Sequence, residues 1–173
     1  LQSRLGCVSS VVLSIENEAA LSSAALPFSR TTGTYTAADG TKYNMADSHQ
    51  RQQLADVSFK KWADAAAKAA KSVTANVLVM VGMFTFSAVG KTFGTARGLL
   101  PDPKLDPRFP PRPALFVDVE SMDILDVHVY HIPGWNFDVD LASSDWVSLT
   151  NDTRVPIIMG EFGAWRQNPQ VFA

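Results

Sequence analysis

Residues 155–161 read VPIIMGE, a short β-branched run that ends in Glu161. Residues 11–18 read VVLSIENE and end in the same way, at Glu18, within a strand predicted over residues 8–18. Apolar runs of this length predict buried strands of a parallel sheet. Ligands of α/β folds bind beyond the carboxyl ends of such strands, so we expect both glutamates to face one functional edge.

Two further apolar runs predict the strands between these ends, over residues 77–82 and 124–130. Before them, Asp47 with a glutamine three positions later indicates a helix N-cap and a capping box. The helix is predicted to continue to about Ser72 and to bury the apolar positions that recur at helical spacing. These positions are Leu54, Val57, Trp62, Ala65, Ala69 and Val73.

The alternation of strands and helices predicts the α/β class with a parallel sheet. A hairpin is predicted at residues 33–36 and 41–44, on either side of Asp39-Gly40, and a short helix near residues 143–149. Four strands could form a small open sheet or half of a closed barrel. A complete eight-stranded barrel needs about 250 residues, so a chain of 173 holds only part of one.

Composition excludes several functional classes. The chain is 46% hydrophobic and 18% charged with a net charge of −2, and no basic cluster is interleaved with aromatic residues, so nucleic-acid binding is not expected. The most apolar stretch, residues 76–89, is too short to cross a bilayer, and we expect no membrane partner. Cys7 is the single cysteine, which excludes an internal disulfide. The chain begins without a methionine or a signal segment, and we expect it to be a piece of a longer protein.

Polar side chains collect on one face of the predicted sheet. Asp126, His128 and Tyr130 alternate along one strand and therefore share a face. By the same alternation, the last predicted strand has Ile157, Met159 and Glu161 on one face, and the first has Ser14, Glu16 and Glu18 on one face. A cleft lined by ionisable groups is therefore expected at the carboxyl ends of the strands.

A metal site was weighed for Asp126, His128 and His131. Residues three apart on a strand point to opposite faces, so the two histidines cannot readily bind one ion. We therefore expect no metal and no other cofactor.

Three short segments together resemble a known family of enzymes. They are Asn17-Glu18 at the end of the first strand, His128 and Tyr130 within DVHVY, and Glu161 within IMGEFG. Their order and spacing are similar to those of the cellulase family of glycoside hydrolases, family 5, in the clan of (β/α)₈ retaining enzymes. The resemblance covers nearly the whole chain and implies a partial TIM (β/α)₈ barrel, about strands 4 to 7 with their helices. Residues 1–173 would then be a fragment of one catalytic domain that lacks strands 1–3 and strand 8.

The resemblance also implies a role for each matching residue. Glu18 would be the general acid/base and Glu161 the nucleophile. Asn17 would hold the 2-hydroxyl of the sugar, Tyr130 would hydrogen-bond the nucleophile, and His128 would line the same subsite. Retaining glycosidases need two carboxyl groups about 5–5.5 Å apart, one to attack and one to protonate the leaving oxygen.

The chain departs from the family pattern at two places. Ala19 follows the acid/base glutamate, where the family commonly has proline, although this change removes no chemical group. The eighth strand, which usually supplies a tryptophan platform in this family, has no counterpart here. Trp135 and Trp165 are the candidates for stacking on sugar elsewhere in the cleft.

The expected function is a retaining glycoside hydrolase that acts on a β-linked polysaccharide or oligosaccharide, endo-β-glucanase-like or mannanase-like and extracellular. The alternative is a non-catalytic barrel descendant that binds carbohydrate without turnover. The sequence favours the enzyme because both carboxylates are present. The partners implied are a carbohydrate and no nucleic acid. Half a barrel would leave strand edges uncovered, so we also expect the isolated chain to be unstable or prone to aggregate.

Overall fold

The computed structural model describes residues 11–85, 107–131, 141, 146–149 and 155–164. The strands are β1 (Val11–Ser14), β2 (Leu21–Ser22), β3 (Thr34–Thr36), β4 (Lys42–Asn44), β5 (Val77–Phe84), β6 (Arg108–Phe109), β7 (Ile124–His131) and β8 (Ile157–Ala164). The helices are α1 (Ser48–Val73) between β4 and β5, and α2 (Trp146–Leu149) between β7 and β8, with a 3₁₀ turn at Pro113–Leu115.

Four strands form one parallel sheet in the order β1-β5-β7-β8. The sheet has the form of half a barrel, and the predicted α/β class is confirmed. The predicted hairpin is confirmed as the antiparallel pair β3–β4, which turns through Gly40 at a φ of +85°. A positive φ suits glycine because it has no Cβ.

The two glutamate-ending runs are the outer strands of this sheet, which corrects the prediction that they are buried. Val11, Val12 and Leu13 of β1 are 42–45% exposed, and Phe162 of β8 is 76% exposed. The inner strands β5 and β7 carry the buried apolar residues instead, such as Val79 and Leu125. A run of β-branched residues predicts a strand but does not reveal its position in the sheet.

The limits of the outer strands also differ from the prediction. β1 ends at Ser14, so Glu18 lies four residues beyond the regular ladder rather than at its last position. β8 continues to Ala164, three residues past Glu161. Glu18 therefore lies in the chain that follows β1, whereas Glu161 lies within β8.

Helix α1 begins where predicted. The Asp47 carboxylate accepts a hydrogen bond from the backbone N–H of His49 at 2.9 Å, which is an N-cap contact. The buried face of the helix was predicted wrongly, because of the expected positions only Leu54 is buried, while Trp62 is 38% and Val73 84% exposed. Much of the face that packs on the sheet carries small side chains, which allow close approach. Its buried members are Ser48, Arg51, Gln52, Leu54, Ala55, Asp56, Phe59, Ala63 and Ala67.

The main core lies between α1 and one face of the sheet. Phe59 and Ala63 of the helix pack in one cluster with Val79, Val81 and Leu125 of the inner strands. Side chains on a strand alternate, so the other face of β5 and β7 is left for the polar residues. The core therefore fixes which face of the sheet can form a site.

A buried ion pair ties α1 to the segment that carries β6. The Asp56 carboxylate accepts hydrogen bonds from Arg112, at 2.6 Å from Nε and 2.8 Å from the backbone N–H. Burial raises the pKa of Asp56, and the hydrogen bonds from Arg112 and Gln52 oppose this effect. The segment also reaches the loop after β1, because the Ser23 backbone N–H donates to the Pro107 carbonyl at 2.7 Å.

Among the described residues, no helix is both long enough and apolar enough to cross a membrane.

Candidate active site

Glu18, His128 and Glu161 meet at the carboxyl ends of the parallel strands. One side-chain oxygen or nitrogen from each lies within 4.8 Å of the other two. The imidazole Nδ1 of His128 is 3.4 Å from Glu18 Oε1 and 3.4 Å from Glu161 Oε2. The histidine is buried, whereas the glutamate side chains are 29% and 37% exposed. Two carboxylates that solvent can reach therefore lie on either side of one buried imidazole.

An irregularity in β8 places Glu161 on the face of His128. The register pairs Asp126 with Ile158 but His128 with Glu161, so β8 contains one residue more than β7 over this interval. Without the extra residue, Glu161 would pair with Val129 on the opposite face, because a one-residue shift reverses every side chain. The prediction that Ile157 and Glu161 share a face is therefore wrong, because Ile157 pairs with Leu125 of the core face. Bulges of this kind often redirect a side chain beside an active site.

The Asp126 carboxylate stabilises this bulge. It accepts a hydrogen bond from the backbone N–H of Gly160 at 2.6 Å. A Cβ at Gly160 would lie 2.4 Å from Asp126 Oδ2, so glycine is needed there. The other side of the carboxylate faces the histidine, since Asp126 Oδ2 is 3.3 Å from His128 Nε2. Asp126 thus positions both His128 and the strand that carries Glu161.

Glu18 depends on a second backbone irregularity, between β1 and β5. The N–H of Ile15 bonds the Met80 carbonyl, and the N–H of Ala19 bonds the Gly82 carbonyl, both at 2.9 Å. The interval of four residues from Ile15 to Ala19 therefore lies beside an interval of only two residues, from Met80 to Gly82. The two extra residues displace the chain before Ala19 from the regular ladder.

Gly82 makes room for this displaced segment. A Cβ at Gly82 would lie 2.0 Å from the backbone oxygen of Asn17 and 3.0 Å from His128 Nε2. Any other side chain would therefore collide with the backbone that leads into Glu18. The absence of a side chain is what allows the first glutamate to approach the histidine.

Tyr130 contacts the second glutamate. Its hydroxyl donates a hydrogen bond to Glu161 Oε2 at 2.7 Å, and its ring covers Gly163, where a Cβ would lie 3.2 Å from two ring carbons. The hydrogen bond to Glu161 raises the pKa of the Tyr130 phenol, because ionising the phenol would place two negative charges side by side. The phenol is therefore held as a donor that keeps one oxygen of Glu161 in place.

This contact makes a prediction for the titration of Tyr130. Removing the charge with Glu161→Gln should lower the pKa of the phenol toward its ordinary value, so that one tyrosine ionises at lower pH than in the parent protein. The raised pKa stabilises the fold while the phenol keeps its proton, and this contribution is lost as pH rises through that pKa. Absorbance at 295 nm against pH measures the ionisation, and Tyr130→Phe identifies the curve that belongs to this residue. Identical curves for the parent and Glu161→Gln would contradict the contact between the phenol and the Glu161 carboxylate.

Arg108 borders the site on the Glu18 side. Its Nη1 is 3.4 Å from Glu18 Oε2, and its guanidinium lies 4.9 Å from the centre of the Phe84 ring. Strand β6, which carries it, pairs with β2 just after Glu18 in the chain. Glu18 therefore has an imidazole beside one oxygen and a guanidinium beside the other.

The structure brings together most of the residues that the sequence singled out. His128 lies beside both Glu18 and Glu161, Tyr130 donates a hydrogen bond to Glu161, and Asn17 is an exposed neighbour of Glu18. Trp135 and Trp165 lie outside the described residues. One oxygen of Glu18 lies within 4.8 Å of one oxygen of Glu161.

Comparison with protein families, curated proteins and solved structures found no match to this chain.

Four residues that build the site were not predicted from the sequence to do so. Asp126 was predicted to share a face with His128, but alternation along the strand gives no indication that its carboxylate holds both His128 and the backbone of β8. Gly82 and Gly160 each interrupt an apolar strand. A glycine inside a strand often marks a β-bulge or a place where another backbone approaches closely, so the sequence did contain an indication of their role. Arg108 lies in a proline-rich segment whose sequence gives no indication that it reaches Glu18.

Proposed function

We propose that this protein is a retaining glycoside hydrolase in which Glu161 is the nucleophile and Glu18 the general acid/base. The observation that carries the proposal is the approach of the two carboxylate oxygens to within 4.8 Å, at the carboxyl ends of parallel strands. The cellulase family, which the sequence resembles, uses two glutamates in this arrangement. In that family the four strands would correspond to about strands 4 to 7 of a (β/α)₈ barrel.

The reaction would proceed in two displacements. Glu161 attacks the anomeric carbon and forms a covalent glycosyl ester, while Glu18 gives its proton to the leaving oxygen. Glu18 then takes a proton from water, and the resulting nucleophile cleaves the ester and releases the sugar. Each step inverts the anomeric centre, so the product keeps the configuration of the substrate.

The surrounding residues have supporting roles in this proposal. Tyr130 holds Glu161 Oε2 by a hydrogen bond of 2.7 Å, which leaves the other oxygen free to attack. His128 lies between the two carboxylates, and Asp126 fixes its orientation. The substrate class is a β-linked glucan or mannan or an oligosaccharide of these, and a polymeric substrate would place the enzyme outside the cell.

One observation supports the alternative of a carbohydrate-binding protein without turnover. Glu18 has the Arg108 guanidinium beside one oxygen and the His128 imidazole beside the other. The same carboxylate oxygens can accept hydrogen bonds from sugar hydroxyls, and this requires no turnover. The enzyme is preferred because both carboxylates are present and their nearest oxygens lie within 4.8 Å of each other.

The stereochemistry of the first product tests the proposal. The purified protein is mixed with β-glucan, β-mannan and aryl β-glycosides, and the anomeric protons of the released sugar are followed by NMR before mutarotation. Retention of the β configuration is the expected result. An α product would overturn the two-displacement mechanism, and binding of a glycan with no release of sugar would favour the non-catalytic alternative.

A further inference from the structure

The three groups at the centre of the site have the spacing of metal ligands. His128 Nδ1 is 3.4 Å from an oxygen of Glu18 and 3.4 Å from an oxygen of Glu161. Zinc binds nitrogen and oxygen at about 2.0–2.2 Å, which places neighbouring ligands of a tetrahedral site roughly 3.3–3.5 Å apart. Two of the three ligand–ligand distances therefore already match, and the third, between the glutamates, is at most 4.8 Å.

The orientation of the buried His128 imidazole is a second observation that points to a metal ligand, and it depends on Asp126, which is not one of the three groups. His128 is 1% exposed, and its Nε2 is 3.3 Å from Asp126 Oδ2. Asp126 is itself held by the backbone N–H of Gly160. Histidines that bind metals commonly donate their other N–H to a carboxylate, which fixes the ring and directs the free nitrogen at the ion.

Carboxylate oxygens face both ring nitrogens of His128. A neutral imidazole has one N–H, and the carboxylate of Asp126 faces Nε2 as an acceptor. When that N–H is given to Asp126, the lone pair of Nδ1 faces oxygens of both Glu18 and Glu161. In that arrangement the Nδ1 lone pair and one oxygen of each glutamate point to one place, and a dication there would be bound by all three.

We propose that Glu18, His128 and Glu161 bind one first-row transition-metal dication such as Zn²⁺, and that the bound ion prevents glycoside turnover. The imidazole ligand favours Zn²⁺ over Mg²⁺ and Ca²⁺, which prefer sites made of oxygen alone. The inhibitory part rests on the proposed function, because the ion would occupy both the nucleophile and the acid/base. The binding part stands without it.

Metal binding is tested by titrating the metal-free protein with ZnCl₂ in a calorimeter, and with CoCl₂ by visible absorption. One saturable site per chain is expected, with no comparable heat from MgCl₂. Asp126→Asn should weaken binding roughly 10–100-fold, as expected for the loss of a group that orients a ligand. Glu161→Gln and His128→Gln remove ligands and should weaken it further. Glu16→Gln and His49→Gln remove an exposed carboxylate and an exposed imidazole outside the site, and should bind as the parent does.

Each possible result is informative. No saturable heat with Zn²⁺, or equal binding by the parent, Asp126→Asn and Glu161→Gln, would overturn the metal site and leave a proton as the cation beside Nδ1. Hydrolysis that Zn²⁺ inhibits and EDTA restores would support the whole proposal, whereas hydrolysis unaffected at saturating Zn²⁺ would overturn the inhibitory part. Zinc binding by a protein that hydrolyses no glycoside would overturn the proposed function and leave the metal site intact.

Discussion

Glu161→Gln should lower kcat/KM for glycoside hydrolysis by at least about 10⁴-fold, because the amide cannot form the glycosyl ester. Glutamine has nearly the same shape as glutamate and can still accept the hydrogen bond from Tyr130. The side chain is 37% exposed, so the change should have little effect on the thermal midpoint. The measurement is the initial rate of release of an aryl leaving group, together with a thermal melt of the same sample.

The matched control is Glu16→Gln. Glu16 is an exposed glutamate two residues before Glu18, and its carboxylate accepts a hydrogen bond at 3.3 Å from the Asn17 backbone N–H. This control should keep kcat/KM within about threefold of the parent value, since surface changes are usually small. A Glu161→Gln protein that retains more than a tenth of the parent activity would remove this glutamate from the role of nucleophile.

Gly82→Ala should destabilise the fold by about 3 kcal/mol or more and should also reduce activity strongly. The added methyl group would lie 2.0 Å from the backbone oxygen of Asn17 and 3.0 Å from His128 Nε2. Backbone cannot rotate away as a side chain can, so the segment leading to Glu18 must move. Denaturant unfolding measures the loss of stability, and kcat/KM measures the displacement of the acid/base.

Gly163→Ala is the matched comparison for this glycine. Its methyl group would lie 3.2 Å from two carbons of the Tyr130 ring, a distance that a small tilt of the ring can relieve. We expect a cost of about 1 kcal/mol or less, clearly below that at Gly82. Equal unfolding free energies for the two variants would contradict the close approach of Asn17 to β5.

The sequence predicted the site better than it predicted the backbone that forms it. Strand type, strand order along the chain and the identity of four contacting side chains could be read from apolar runs and from period-two alternation. Alternation assumes an unbroken ladder of paired residues, however, and β8 contains one extra residue between Ile158 and Glu161. Glu161 was assigned to the correct cleft although the alternation used for it was wrong, because the extra residue reverses the face.

The buried face of α1 shows a different limit. Large apolar residues such as Trp62 and Val73 were expected to be inside, and the helix instead buries alanines and the polar pair Gln52 and Asp56. Asp56 is buried because Arg112, 56 residues further along the chain, supplies its hydrogen bonds. A partner so distant in sequence leaves no local pattern, so hydrophobic periodicity favours the wrong face.

The outer position of both glutamate segments has a mechanical consequence. Adjacent strands lie about 4.8 Å apart, so three intervals separate β1 from β8 by roughly 14 Å along the sheet. The glutamate oxygens nevertheless come within 4.8 Å of each other, because they lean inward over the concave side of a curved sheet. The gap between the two carboxylates thus depends on sheet curvature, and in the proposed reaction any contact along the two outer edges that bends or flattens the sheet would change the rate from a distance.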